Sequence, residues 1–90
     1  MALGYYFSPA GMTAGSYDVT IKELEAAGAG SPKGRLHHSA FETPDGFRVY
    51  DVWESADDFN AFGETLIPIL QAHGIDPGQP EVMSLHNLIQ

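Results

Sequence analysis

The chain contains no cysteine among its 90 residues, which excludes disulfides and thiolate metal centres. It is also poor in positive charge. Only Lys22, Lys33, Arg35 and Arg48 are basic, against twelve acidic residues, for a formal charge of −8. A phosphate backbone would be repelled and finds no basic stripe, so no nucleic-acid partner is expected. Anionic membrane surfaces are disfavoured for the same reason. No apolar run approaches the ~20 residues needed to span a bilayer. Residues 1–6 lack the basic start and long apolar stretch of a signal peptide. Together with the missing thiols, this makes a cytoplasmic protein the expectation.

The length fits one domain, residues 1–90. A chain of this size buries only roughly 60–65% of the surface exposed by its unfolded form. With no disulfide or thiolate metal to staple it, a second subunit is the remaining common way to bury more apolar surface.

Aromatic residues crowd residues 2–8, which read as a strand ending at Pro9. Thr13 or Ser16 can cap a helix, and Tyr17, Ile21, Leu24 and Ala27 then recur at helical spacing. Gly28, Gly30 and Pro32 end that helix. Residues 35–42 and 47–53 are both extended by pattern, joined through Thr43, Pro44, Asp45 and Gly46. Proline presets φ, aspartate suits the next position and glycine takes the left-handed one, so the pair reads as a hairpin with a type I turn and a glycine bulge. Ser55, Asp57 and Asp58 open a second helix whose face carries Phe59, Phe62, Leu66, Ile69, Leu70 and His73. Pro68 predicts a kink or break at residues 64–68, and Gly74 ends the helix. Residues 81–89 form the last strand.

The order is β-α-β-β-α-β. Right-handed crossovers then give a ferredoxin-like α+β fold: an antiparallel sheet ordered 4-1-3-2 with both helices on one face. Alternation in the first and last strands leaves neither sheet face polar. The face opposite the helices needs a cover, and a second copy of the same sheet supplies one. A homodimer is expected on this ground.

Several stretches carry a family resemblance: residues 32–40, then Asp51, Val52, Trp53, Glu54, Ser55, Ala56, Asp57, Asp58 and Phe59 at a strand-to-helix junction, then residues 65–68, and the ending at residues 86–89. Taken together, the chain resembles the dimeric α+β barrel superfamily, which includes antibiotic-biosynthesis monooxygenases. The resemblance implies a dimeric α+β barrel with a pocket between helices and sheet in each protomer. It also implies cofactor-independent oxygenation or cyclisation of aromatic or polyketide-like molecules, with no metal or other cofactor. Haem-degrading members place a tryptophan on the second helix, a histidine about ten residues later and an asparagine on the first strand. Here those helix positions hold Phe62 and Ala72, and the first strand has no asparagine, which argues against haem degradation.

His38 matches a histidine seen at this strand position in similar small barrels. A semi-buried imidazole there suits a general base; packing inside the barrel is the plainer alternative. His86 is also matched by the resemblance, as a pocket residue or a structural one. Tyr6, Tyr50, Trp53 and Phe62 are candidates to line a cavity for a small aromatic ligand, against the plainer reading as core. His37 and His38 are adjacent on a strand, so they face opposite ways and cannot share a metal. The neighbours of His38 depend on the hairpin register. Pairing Thr43 with Phe47, which turn chemistry favours, sets His38 opposite Val52; a shift of one residue sets it opposite Asp51. Three readings stay open: a cofactor-independent monooxygenase or cyclase, a non-catalytic ligand-binding module, and a structural homodimer.

Overall fold

The computed structural model describes residues 2–90. Its elements are β1 (Leu3–Phe7), α1 (Ala14–Ala26), β2 (Arg35–Thr43), β3 (Gly46–Trp53), α2 (Ala56–Ala72) and β4 (Glu81–Ser84). The sheet runs β2-β3-β1-β4 with every neighbouring pair antiparallel, the ferredoxin-like order expected from the pattern.

Each helix starts where a hydroxyl can satisfy its free backbone donors. The Thr13 side chain accepts from the Ser16 N–H at 3.2 Å, and the Ser16 hydroxyl accepts from the Thr13 N–H at 2.9 Å, a reciprocal cap. Ser55 accepts from the Asp58 N–H at 3.1 Å, and Asp57 and Asp58 lie at the positive end of the helix dipole.

Side chains alternate across each strand, so Tyr5 and Phe7 point towards the helices while Tyr6 points away. Tyr5, Phe7, Leu24, Trp53 and Phe62 form the buried core, with Ile21, Phe59, Leu66 and Ile69 packed against it. Phe59 stacks on Tyr5 at 4.2 Å between ring centroids and meets Trp53 edge-on at 5.7 Å. Aromatic contacts therefore hold α2 to the centre of the sheet.

Three expectations are corrected. First, Thr43 pairs with Gly46, not Phe47, so only Pro44 and Asp45 stand outside the ladder. The Thr43 hydroxyl accepts from the Asp45 N–H and donates to the Gly46 carbonyl at 2.6 Å, and Gly46 at φ +125° keeps its place in the ladder. The irregularity lies instead at the other end of β2, between Arg35 and His37, where Leu36 is the extra residue. Second, of the kink or break expected at residues 64–68, the break does not occur, and α2 runs on through Pro68. Glu64 and Pro68 are both exposed, so water can serve the carbonyl that loses its helical donor. Third, β4 ends at Ser84, not at residue 89. Ser84 pairs with Leu3, the first residue of β1, so the last strand runs out of partner. The segment beyond it makes two ties: the Leu85 N–H donates to the Ala2 carbonyl at 3.0 Å, and the Gln90 side chain donates to the Leu36 carbonyl at 2.9 Å. The tail thus reaches from one edge strand to the opposite one.

Candidate functional site

The observed register places His38 opposite Asp51 on the sheet face that the helices cover. Asp51 is an acid inside an otherwise apolar run of β3, and it is only 4% exposed. A carboxylate so buried needs donors on both oxygens. It has them: His38 Nδ1 lies 2.5 Å from Oδ1, and the Trp53 indole N–H donates to Oδ2 at 3.3 Å. An ionised carboxylate only accepts, so the proton of a neutral His38 is assigned to Nδ1 and the lone pair to Nε2. The Tyr17 hydroxyl, on α1, lies 2.5 Å from Nε2 and donates to it. The two rings are within 4° of parallel. A hydrogen-bonded row results: Tyr17 to His38 to Asp51, with Trp53 bracing the far end.

The row opens on a cavity of about 70 Å³ between α1, α2 and the sheet. Its walls are mostly apolar, with Ile21, Leu24, Phe62, Leu66 and Leu70 from the helices; Tyr17, Arg35, His38 and Asp51 supply the polar edge. Pro9, Met12 and Pro77 line it from the two loops. Those loops are fastened together by a short bridge in which Ala10 N–H donates to the Asp76 carbonyl at 2.8 Å. A wider groove of about 640 Å³ runs along α2 and residues 77–80 and shares Phe7, Leu66 and Pro77 with the cavity.

Burial raises the Tyr17 phenol above its ordinary value of 10.0, and the Asp51 carboxylate raises it further. Arg35 pulls in the opposite direction and Asp18 adds a small upward push. Tyr17 is therefore a neutral hydroxyl at physiological pH, with its proton directed to the imidazole and its oxygen lone pairs free to accept. A proton taken by that oxygen can be matched by transfer of the tyrosine proton to Nε2, and Asp51 stabilises the imidazolium that forms.

Of the residues expected from sequence, His38 and Phe62 line this cavity. Trp53 lies behind it, fully buried, as a donor to Asp51. Tyr6 and Tyr50 pair across β1 and β3 on the opposite sheet face, where the Tyr50 ring leans over Gly4. His86 is exposed in the tail. His37 also faces away and bonds Ser39 at 3.1 Å.

Tyr17, Asp51 and Arg35 join the site without having been singled out as site residues. Two carried a legible signal. Tyr17 stands in the inward stripe of α1 with a polar tip that must find a partner. Asp51 sits two residues from Trp53 and so shares its buried face.

No family model matches the chain, and no curated protein matches it. Solved structures do. A proposed antibiotic biosynthesis monooxygenase from Chloroflexus aurantiacus superposes with a TM-score of 0.68 at 16% identity, covering 100% of this chain and 98% of that one. SnoaB, a cofactor-independent oxygenase from Streptomyces nogalater, gives 0.61 at 15% identity, covering 98% and 94%. Rv0793 from Mycobacterium tuberculosis gives 0.54 at 13% identity, covering 99% and 95%. The chain has the fold of the antibiotic biosynthesis monooxygenase-like proteins. At these identities the likeness is one of fold, and function has to be argued from the site. No helix among the described residues is long and apolar enough to cross a membrane.

Proposed function

We propose that this protein holds a small aromatic or polyketide-like molecule in the cavity beside Tyr17 and removes a proton from it through His38, as a cofactor-independent monooxygenase or cyclase does. The observation that carries this reading is the row Tyr17–His38–Asp51, which ends at a largely apolar cavity. Tyr17 meets the ligand, His38 takes the relayed proton, and Asp51 holds the tautomer. Phe62 shapes the wall.

The oxygenase form of the chemistry balances without a further reactant. An activated CH₂ loses a proton, the carbanion reduces O₂, one oxygen atom stays on carbon as a carbonyl, and the other leaves as water with both hydrogens. Incubation with oxygen-sensitive phenols and anthrones, followed by O₂ uptake and product analysis, tests it. Turnover of one chemical class is expected, lost in Tyr17→Phe and His38→Ala. Unchanged turnover in His38→Ala overturns it.

The cavity's size favours a second reading. At about 70 Å³ it is smaller than the ~300–1,000 Å³ usual for drug-sized ligands. A non-catalytic module that binds a small ring, or a structural homodimer with a self-filled core, would fit this size. Binding without product separates the module from the enzyme.

The sheet face away from the helices supports a homodimer. Phe41 and Met83 lie on it 51% and 46% exposed, beside Tyr6 and Tyr50. Light scattering is expected to return twice the chain mass, and Phe41→Glu to shift it towards one.

A further inference from the structure

Arg35 brings a cation to this cavity and forms no ion pair there among the described residues. The ion pairs among the described residues are Lys33–Asp58, His38–Asp51 and His73–Glu23; Arg35 has no carboxylate oxygen within 4.0 Å. Among the described residues, one of its donors has a protein acceptor, Nη2 to the Gly30 carbonyl at 3.1 Å. The guanidinium carbon lies 6.0 Å from the centre of the Phe62 ring, so the charged plane borders the apolar wall of the cavity. Asp51, the carboxylate in the same lining, has both oxygens engaged by His38 and Trp53. A guanidinium has five N–H donors arranged to match a two-oxygen anion, and Arg35, half-buried at the cavity edge, can present its remaining donors to such a partner.

We infer that the cavity selects a small aromatic ring carrying an anionic oxygen, a carboxylate or an acidic phenol or enol, with Arg35 as the residue that sets this specificity. The inference rests on reading the cavity as a ligand pocket and adds the class of ligand. The ring lies against Phe62 and Leu66, its charged oxygen meets the Arg35 fork, and the Tyr17 hydroxyl borders the same point. The location of the cation also explains how an anion is chosen by a chain of charge −8, which repels anions at long range. That repulsion is screened within roughly 8 Å at physiological salt, whereas the contact with Arg35 is not.

Binding without turnover tests this by calorimetry on the intact protein. The probes are benzoate for a carboxylate source, 4-nitrophenolate for a phenolate source, and benzamide as the neutral partner of benzoate. At least one of the two anions is expected to bind roughly tenfold tighter than benzamide, and which one does so identifies the source. Arg35→Gln should abolish that preference, weakening binding of the favoured anion about tenfold more than that of benzamide. Arg35→Lys keeps the charge but lacks the fork and should retain part of the preference; it carries the test if the glutamine variant does not fold. Benzamide binding as tightly as both anions, or a preference that survives Arg35→Gln, overturns the inference and leaves the pocket reading standing. Failure of all three probes to bind overturns both.

Discussion

His38 Nδ1 stands 2.5 Å from Asp51 Oδ1 across the β2–β3 ladder, and the same carboxylate receives the Trp53 indole N–H on its other oxygen. One buried acid thus sets the tautomer of the histidine and satisfies the only tryptophan. Asp51→Asn keeps the shape but turns one oxygen into a donor, leaving either His38 or Trp53 facing a donor. An unmet buried donor costs about 1–3 kcal/mol, and urea unfolding should register a loss of that order. Nitrogen NMR of His38 should show the proton on Nδ1 in the parent protein and a move towards Nε2 in the variant. An unchanged His38 tautomer together with an unchanged Trp53 indole N–H resonance in Asp51→Asn would show that Asp51 governs neither.

Tyr17 yields a prediction at alkaline pH. Its folded-state pKa is raised above 10.0, chiefly by burial and next by Asp51. The folded protein therefore keeps this proton at pH values where the unfolded chain has lost it. The stability linked to Tyr17 is fully present below pH 10.0 and falls as pH rises through the folded-state value. Tyr17→Phe should show a shallower alkaline loss of stability. Some slope remains, because burial raises Tyr5 as well. Ultraviolet titration should show one late-ionising phenol fewer in the variant.

Gly34 precedes β2 at φ +86°, and a Cβ there would sit 2.6 Å from the Cβ of Asp58. Its carbonyl also accepts the Glu54 N–H at 2.7 Å, so the backbone cannot swing away freely. Gly34→Ala combines a left-handed backbone cost of about 1–2 kcal/mol with displacement of Asp58, whose carboxylate accepts from the Ser55 hydroxyl that caps α2. Thermal unfolding should fall well beyond the effect of Gly28→Ala, a site with a similar φ of +80° and nothing within 4 Å of an added Cβ.

Pro68 lies inside a continuous helix with its face exposed. Alanine there restores the donor to the Glu64 carbonyl. A mid-helix proline costs up to about 3 kcal/mol relative to alanine, so Pro68→Ala should stabilise the fold in urea by a sizeable part of that. Equal or lower stability would mean that the proline ring makes packing contacts worth as much as the missing bond.

The chain order of strands and helices was legible because hydrophobic period, caps and turn residues are local properties, and they agreed along the whole sequence. Ser55 and Gly74 bound α2 as read, and the sheet order followed from the handedness of the crossovers. Where a local rule competed with a wider one, the local rule failed. Pro68 did not break α2, because the solvent-facing side of the helix tolerates an unpaired carbonyl. The glycine-bulge rule for the hairpin did not hold, because the extra residue was absorbed at Leu36, far from the turn.

The sequence by itself determined the α+β pattern and the inward stripes of both helices, since each depends on spacing within one segment, and its family resemblance singled out His38. Tertiary structure alone decided which partner His38 has. A one-residue difference in strand register exchanges Val52 for Asp51 and turns an isolated imidazole into the centre of a hydrogen-bonded row. It alone also brought Tyr17 from α1 and Arg35 from the start of β2 to the same cavity. It sent Tyr6 and Tyr50 to the far face of the sheet. The physical reason is that register and helix docking are set by the sum of many weak contacts between segments distant in sequence, and no single segment carries that sum.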